Sequence, residues 1–301
     1  MKDSLKQARV LVTGATGFIG KHLCRKLVES DATIFGLSRS ASSDTVPAGV
    51  IPIAADVTRQ DEIEAAFQQV SPTHVLHLAA AGVTEPFLFA EVANRVNVTG
   101  TVNVLQASLC VPVGRFIQVG TCYESSAGTI PISTYAASKF EAWRVWRAFV
   151  DDHAQLESIA LRLFHVYGPE QPASGLIMAA IRAALRGDRF EMTPGEQQRD
   201  FIYIDDVVDA LSLALTAPLA AVGTLDVGTG SGWPVRTVVQ TVFDMAGGTG
   251  KAVIGAYPYR DNEIMRLVAE TEPIARMLGW QARTNLNIGL LATIDWQRQR
   301  V

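Results

Sequence analysis

The segment that most constrains this chain is Val10-Leu11-Val12-Thr13-Gly14-Ala15-Thr16-Gly17-Phe18-Ile19-Gly20. An apolar run that reads as a strand feeds a turn with glycines three residues apart, and the turn opens onto a helical pattern. Gly14 permits the tight turn, Gly17 lets the backbone approach a ligand, and Gly20 allows the helix to pack closely on the strand. A helix entered this way presents free N–H groups and the positive end of its dipole to an anion. With strand, turn and helix all in order, the segment predicts a pyrophosphate cradle for a dinucleotide, lined by Gly14, Thr16, Gly17, Phe18 and Ile19.

Beyond the turn the same alternation repeats. Short apolar runs predict strands over 8–13, 32–37, 50–54, 74–79, 115–120 and 158–163, and helical patterns predict helices over 18–30, 61–70, 87–109 and 135–152. The apolar runs lack clean alternation, as parallel strands covered on both faces do. The expected fold class is therefore α/β, a Rossmann-like doubly wound parallel sheet. After about residue 165, prolines and glycines punctuate shorter elements: helices over 174–186, 205–216, 235–246 and 272–278, and strands over 201–204 and 224–227. These predict a smaller mixed α/β lobe. The expected division is 1–168 for the dinucleotide domain and 169–301 mainly for a substrate lobe, with the chain crossing back around 200–230.

Composition narrows the partners. Of 301 residues, 48% are hydrophobic, enough for a sizeable core, and the net charge is −4, which favours neither nucleic acid nor an anionic membrane. No apolar stretch is long enough to span a bilayer and no signal-peptide pattern precedes the first strand. Cys24, Cys110 and Cys122 are odd in number and far apart, so reduced thiols and a cytoplasmic location are expected. The five histidines show no metal-ligand spacing, and His74 and His77, on a buried strand, read as structural.

The end of the second strand selects the cofactor. A site for NAD(H) places a carboxylate there for the ribose 2′-OH. Here Ser38 falls at that point and Arg39 comes next, and a guanidinium suits a 2′-phosphate. NADP(H) is expected, with NAD(H) second. Asp56, with Val57 beside it, lies just beyond the third strand as a partner for the adenine amino group. Leu78, Ala79 and Ala80 end the fourth strand with small residues that let a flat ring approach the backbone.

Tyr135 and Lys139 carry the chemistry. Spaced i and i+4 at the start of a helix, phenol and ammonium address one small volume. A nearby cation would bring the phenol's pKa down toward operating pH. Thr121 ends the strand over 115–120 at the sheet edge where ligands bind in such folds, with its hydroxyl available to the same substrate oxygen.

Together these residues resemble the extended short-chain dehydrogenase/reductase family, in its nucleotide-sugar epimerase/dehydratase/reductase branch. The resemblance spans nearly the whole chain. Besides the glycine turn, its carriers are His77 to Ala80, Asn97 to Thr101, Thr121, Tyr135 to Lys139, Leu161 to Pro169, Arg199 to Asp206 and Leu278 to Trp280. It implies that Thr121, Tyr135 and Lys139 are the catalytic triad and that Lys139 also binds the nicotinamide ribose. It implies that Arg199 contacts the substrate's nucleotide diphosphate or ribose, and that Asn97 orients the active-site strand or helix through backbone contacts. Cys122, Tyr123, His165 and Arg260 are the further substrate-side candidates. It also implies a homodimer through the two long helices; the alternative is that Phe140, Trp143 and Trp146 pack onto their own sheet.

Departures from the family pattern narrow the reaction. Dehydratases of this branch follow the catalytic Thr with Asp-Glu, whereas Cys122-Tyr123 stands here, with Glu124 one step late for an elimination base. His165 replaces the usual Asn. The stretch from Thr121 to Tyr135 is short for the family, which implies a more open sugar pocket. The leading expectation is NADPH-dependent reduction of a nucleotide-linked 4-keto-6-deoxy sugar at C4, with Tyr135 as proton donor. The alternatives are a nucleotide-sugar epimerase with tightly held NAD(P) and, from another class, a non-catalytic NADP-sensing protein, which would have no need of an intact Thr121, Tyr135 and Lys139.

Overall fold

The computed structural model describes residues 5–82, 88–124, 133–219 and 223–300. The chain folds into two compact units. The first comprises Met1–Arg162, Val208–Leu225 and Pro273–Trp280, the second Leu163–Val207, Asp226–Glu272 and Gln281–Val301.

The first unit is built on strands β1 (Arg9–Thr13), β2 (Thr33–Ser38), β3 (Ile51–Ala54), β4 (His74–His77), β5 (Arg115–Thr121) and β6 (Glu157–Leu163). With the strand Gly223–Val227 they form one seven-stranded sheet, ordered Gly223–Val227, β6, β5, β4, β1, β2, β3. Strands β1, β2, β3, β4 and β5 pair in parallel, Val12 lying level with Gly36 on one side and with Leu76 on the other. The order reverses beside β1, so the C-terminal ends of β1 and β4 flank the crevice where such sheets bind ligands. Every residue of β5 is buried, which explains its continuous rather than alternating apolar pattern.

The helices between these strands are α1 (Phe18–Val28), α2 (Gln60–Val70), α3 (Ala90–Asn94), α4 (Gly100–Ala107) and α5 (Thr134–Asp152). In α2, Asp61 and Glu62 occupy the first turn while Ile63, Ala66, Phe67 and Val70 are buried, an amphipathic stripe complementing the helix dipole. Ser133 caps α5, its hydroxyl accepting the Ala136 N–H. Trp146, Val150 and Phe67 join one core cluster with Leu11, Leu37 and Phe116.

Two expectations are corrected here. The fourth strand ends at His77 rather than 79, because the Leu78 amide makes the last ladder bond, to the Thr13 carbonyl, and the Ala79 amide turns to the Thr13 hydroxyl. The helix expected over 87–109 is α3 and α4 joined by a π-turn at Arg95–Thr99, and α4 ends at Ala107. The expected start at 87 lies outside the described residues.

The second unit packs helices Leu176–Arg186, Val235–Ala246 and Leu286–Arg298 around a core that includes Tyr167, Ile181, Val238, Val242, Leu290 and Ile294. Short strand pairs frame it: His165–Tyr167 with Phe201–Tyr203, and Arg189–Met192 with Lys251–Ile254, both parallel. Gln198–Arg199 lies between Trp233–Pro234 and Arg266–Leu267. Neither the helix Leu286–Arg298 nor the strands at Arg189–Met192 and Lys251–Ile254 are among the elements expected from sequence. No helix among the described residues is long and apolar enough to cross a membrane.

Candidate active site

The glycine turn holds its expected form. Gly14 adopts φ +73°, and a Cβ there would press on the Ala79 backbone nitrogen at 2.9 Å. A Cβ on Gly20 would run into the Gly14 carbonyl, so the missing side chain is what lets α1 lie against the turn. Gly17 is the N-cap of α1, with no side-chain cap and no acidic residue in the first turn. Those uncapped amides fit a pyrophosphate. Thr16 donates to the Ser38 hydroxyl (3.1 Å), joining the turn to the end of β2. Arg39 stands exposed with no ion-pair partner among the described residues.

Asp56 and Val57 lie just past β3. One Asp56 oxygen accepts the Thr58 N–H (2.9 Å), and the Asp56 amide is held by Glu62, so the segment is fixed by its own turn. Val57 is buried, and its carbonyl accepts from Asn103 (2.8 Å). Leu78 and Ala79 are half-buried and Ala80 is exposed.

A continuous chain of hydrogen bonds crosses beneath this surface. Thr101 donates to the Asn97 carbonyl (2.6 Å), so its oxygen is left to accept from His77 Nε2 (3.1 Å). His77 Nδ1 therefore accepts from the Thr13 hydroxyl (2.8 Å), whose oxygen in turn takes the Ala79 N–H (3.1 Å). The directions fix the neutral Nε2–H tautomer. Burial, with the Lys139 charge adding to it, pushes the His77 pKa down to about 3. Asn97 continues the chain: its Oδ1 accepts the Ala81 N–H (2.8 Å), and its Nδ2 donates to the Ala81 carbonyl (3.0 Å) and to Ser138 Oγ (2.8 Å). Ser138 donates to the Tyr135 carbonyl (3.0 Å). The loop after β4 is thus tied to the first turn of α5.

Lys139 is buried on the inward stripe of α5, in line with Ala136, Ala142, Trp146 and Val150, and its Nζ donates to the Val119 carbonyl on β5 (2.7 Å). The Tyr135 and Thr121 side chains are hydrogen-bonded to each other. Burial and then the Glu124 charge hold the Tyr135 phenol above its ordinary range, against the smaller opposing effect of the Thr121 bond. This differs from the lowering expected of a lysine neighbour, because desolvation of a phenolate outweighs the favourable contacts. Lys139 itself is pushed down by burial and held back up by Glu124.

Cys122, Tyr123 and Glu124 form a single 3₁₀ turn after β5, with Cys122 and Glu124 buried. Glu124 Oε1 accepts the Thr121 N–H (3.0 Å). Its position in the sequence is one step late for elimination, yet it is buried against the Thr121 backbone. A glutamate three residues beyond a strand-end threonine is the available signal. The stretch 125–132, part of the short segment noted from sequence, lies outside the described residues.

The remaining candidates belong to the second unit. Arg199, nearly buried, pairs with Glu263 and donates to the carbonyls of Gln198 and Ile264. Asp200 is fully buried, its carboxylate accepting from Thr229 N–H and hydroxyl, Gly230 N–H and Ala269 N–H. His165 shares a strand pairing with Phe201, and burial together with the Arg199 charge pushes its pKa down to about 3. Arg260 is exposed on the turn leading to Glu263, whose N–H bonds the Arg260 carbonyl. Asp200 and Glu263 were not anticipated.

A doubly wound parallel sheet, a glycine turn capping its first strand, and Thr121 at the end of β5 beside Tyr135 and Lys139 of α5 define the class: an NAD(P)-dependent enzyme on a Rossmann-like fold. The chain belongs to the NAD dependent epimerase/dehydratase family, whose model matches residues 10–228. It is 29% identical over 287 residues to the CDP-abequose synthase of Salmonella muenchen, covering 94% of this chain and 95% of that one. Among solved structures it is similar to MoeE5 in complex with UDP-glucuronic acid and NAD, at 30% identity and TM-score 0.86, covering 97% of this chain and 99% of that one. It is also similar to the Thermus thermophilus UDP-glucose 4-epimerase in complex with NAD, at 29% identity and TM-score 0.82, covering 97% and 100%. The chain is an enzyme of this nucleotide-sugar family.

Proposed function

We propose that the chain is an NADPH-dependent reductase that converts a nucleotide-diphosphate-linked 4-keto-6-deoxy sugar to the C4 alcohol. The observation that carries this is the assembly at the end of β5: a Thr121–Tyr135 hydrogen bond with Lys139 buried one helical turn on from Tyr135. Gly14, Thr16, Gly17, Phe18 and Ile19 would hold the pyrophosphate. Ser38 and Arg39 would hold the 2′-phosphate, Asp56 and Val57 the adenine, Leu78, Ala79 and Ala80 the face toward the nicotinamide, and Lys139 its ribose. The bound nicotinamide supplies a hydride to C4. Thr121 donates a hydrogen bond to the ketone oxygen. As the C4–O bond becomes single, the Tyr135 O–H bond breaks and its proton passes to that oxygen. The phenolate left behind is stabilised by the Lys139 charge and regains a proton from water. A phenol held above its ordinary range is protonated at neutral pH, which suits donation rather than abstraction.

Three observations support reduction over elimination and NADPH over NADH. Cys122-Tyr123 offers no carboxylate at the two positions after Thr121. Arg39 is exposed at the end of β2, without an ion-pair partner among the described residues. The Salmonella relative is a synthase of a CDP-linked sugar. On the substrate side, Cys122 and Tyr123 would border the sugar, and Arg199, His165 and Arg260 the diphosphate, with Arg199 exchanging part of its pairing with Glu263 for phosphate. The reading places the enzyme in the cytoplasm as a homodimer. Trp146, fully buried, and Trp143, bonded to Thr224, are committed to their own unit, which leaves the dimer contact to the outer faces of α4 and α5.

The test is incubation of the purified enzyme with CDP-, dTDP- and UDP-linked 4-keto-6-deoxy sugars while the reduced-nicotinamide absorbance is followed. Stoichiometric NADPH consumption, abolished by Tyr135→Phe, is expected. A second reading, an epimerase with retained NAD(P), is favoured by the Thermus relative and its bound NAD. Turnover of a nucleotide sugar without net NADPH consumption would establish that reading instead. Arg39→Ala is expected to abolish preference for NADPH over NADH in a binding titration.

A further inference from the structure

We propose that Glu124 is a positioning residue of this site: a buried counter-charge to Lys139 that braces the end of β5 and keeps Tyr135 a proton donor, favouring reduction of a ketone over oxidation of the alcohol. The inference rests on the reductive reading for its consequence but on geometry for its substance. The 3₁₀ turn Cys122–Glu124 folds the chain back so that Glu124 Oε1 accepts the Thr121 N–H at 3.0 Å. The carboxylate lies over Gly120 so closely that any Cβ there would collide with it, which accounts for glycine at that point of a fully buried strand. Only 5% of Glu124 is exposed. A carboxylate withdrawn from water to this extent is costly unless it meets opposite charge and donors. Lys139, itself buried and bonded to the Val119 carbonyl on the same strand, is the cation whose charge interacts with it.

The groups acting on the Tyr135 phenol, Thr121, Cys122, Tyr123 and Glu124, all come from the end of β5 and the turn after it, while Lys139, one helical turn on from Tyr135, bonds the Val119 carbonyl of the same strand. The loop after β4 brings Gly82 against the Tyr135 ring, and His77, near Lys139, is neutral throughout the range in which a phenol titrates. Glu124 is the carboxylate of the set. The Glu124 anion opposes formation of a second anion on Tyr135 and favours the protonated ammonium of Lys139. Alcohol oxidation needs Tyr135 as phenolate to accept a proton, so Glu124 confines that direction to alkaline pH and leaves ketone reduction broad.

Glu124→Gln separates charge from shape, since the amide oxygen can still accept the Thr121 N–H. The readout is Tyr135 ionisation, taken as the difference in phenolate absorbance between each enzyme and the same enzyme carrying Tyr135→Phe. The expected result is a midpoint about one pH unit or more lower in Glu124→Gln than in the parent. Glu124→Asp, which keeps the charge but retracts it by one methylene, is expected to give a smaller shift of the same sign, and it decides the matter if the Gln variant does not fold. With a turned-over 4-keto sugar, the alkaline limb of the pH profile for kcat should move by the same amount with KM little changed. An unchanged or raised midpoint in the folded variants overturns the proposal, because a purely structural acceptor would leave the titration where it was. The titration needs no substrate, so absence of turnover overturns the reductase reading alone.

Discussion

Replacing Asn97 by Ala tests whether the hydrogen-bonded chain beneath the site is what positions it. Asn97 is almost fully buried in the π-turn between α3 and α4. It satisfies both polar groups of Ala81 and donates to Ser138, itself fully buried. Each such bond contributes about 1 kcal/mol net, and a partner left buried without water costs about 1–3 kcal/mol. Ala81 is half-buried, so water can replace two of the three bonds. Ser138 still donates to the Tyr135 carbonyl but loses the donor it accepts from. The sum is a loss of about 2–4 kcal/mol, which for a domain of this size lowers Tm by about 5–10 °C. Thermal unfolding by far-ultraviolet circular dichroism measures the loss, and calorimetric titration with NADPH measures the loss of affinity expected of the proposed cofactor site as Ala81 comes free of Ser138. Asn97→Asp keeps the acceptor for Ala81 N–H but turns an anion toward the Ala81 carbonyl and Ser138, so it should be no better than Ala. A Tm change under about 2 °C with unaltered NADPH affinity, the behaviour of an exposed substitution, would refute the reasoning.

Three further outcomes are expected from the same structure. Gly20→Ala drives a methyl group into the Gly14 carbonyl, so it should cost about 1–3 kcal/mol and weaken NADPH binding, measured by urea unfolding and titration. His77 and His165 are held neutral with pKa values near about 3, below the value of about 6.5 in an unfolded chain, so between those values the unfolded state binds more protons. Stability should therefore fall as pH drops through that window, by about 1.4 kcal/mol per pH unit for each histidine, and a flat urea midpoint between about pH 6 and about pH 5 would contradict it. Arg115→Met removes charge-assisted bonds to the carbonyls of Ala214 and Ala217 and the pairing with Glu157, so it should cost about 3 kcal/mol. Hydrogen exchange should quicken first in the returning segment 208–217, whereas Glu157→Gln, at an exposed partner, should be nearly silent.

The parts of this enzyme legible in its sequence are those whose physics is local. A glycine turn between a strand and a helix, an i, i+4 Tyr–Lys pair, and apolar runs too continuous for a half-exposed sheet each act within a few residues. They give the fold class and the form of the glycine turn, and they bring Thr121, Tyr135 and Lys139 forward as the site proposed above. The helix Leu286–Arg298 escaped notice because Asn285, Asn287 and Gly289 break up its apolar pattern, although Leu290 and Ile294 fill the core of the second unit. The π-turn at Asn97 has no propensity signature; it exists because the Asn97 amide must reach Ala81 and Ser138 at once. His77 reads from sequence as a buried strand residue, but its partners Thr13 and Thr101 lie 64 and 24 residues away. The resemblance assigns Arg199 a substrate contact, and Glu263, 64 residues on, is the partner that sequence does not reveal.

The glycine turn, the i, i+4 placing of Tyr135 and Lys139 and the family were thus legible in sequence, because backbone sterics and helical periodicity operate between near neighbours. The tertiary structure alone decided which distant buried polar groups face one another: Glu124 with Lys139, His77 with Thr13, Arg199 with Glu263. The reason is that a buried charge or imidazole is tolerable only with a partner, and strand order, not sequence distance, delivers that partner.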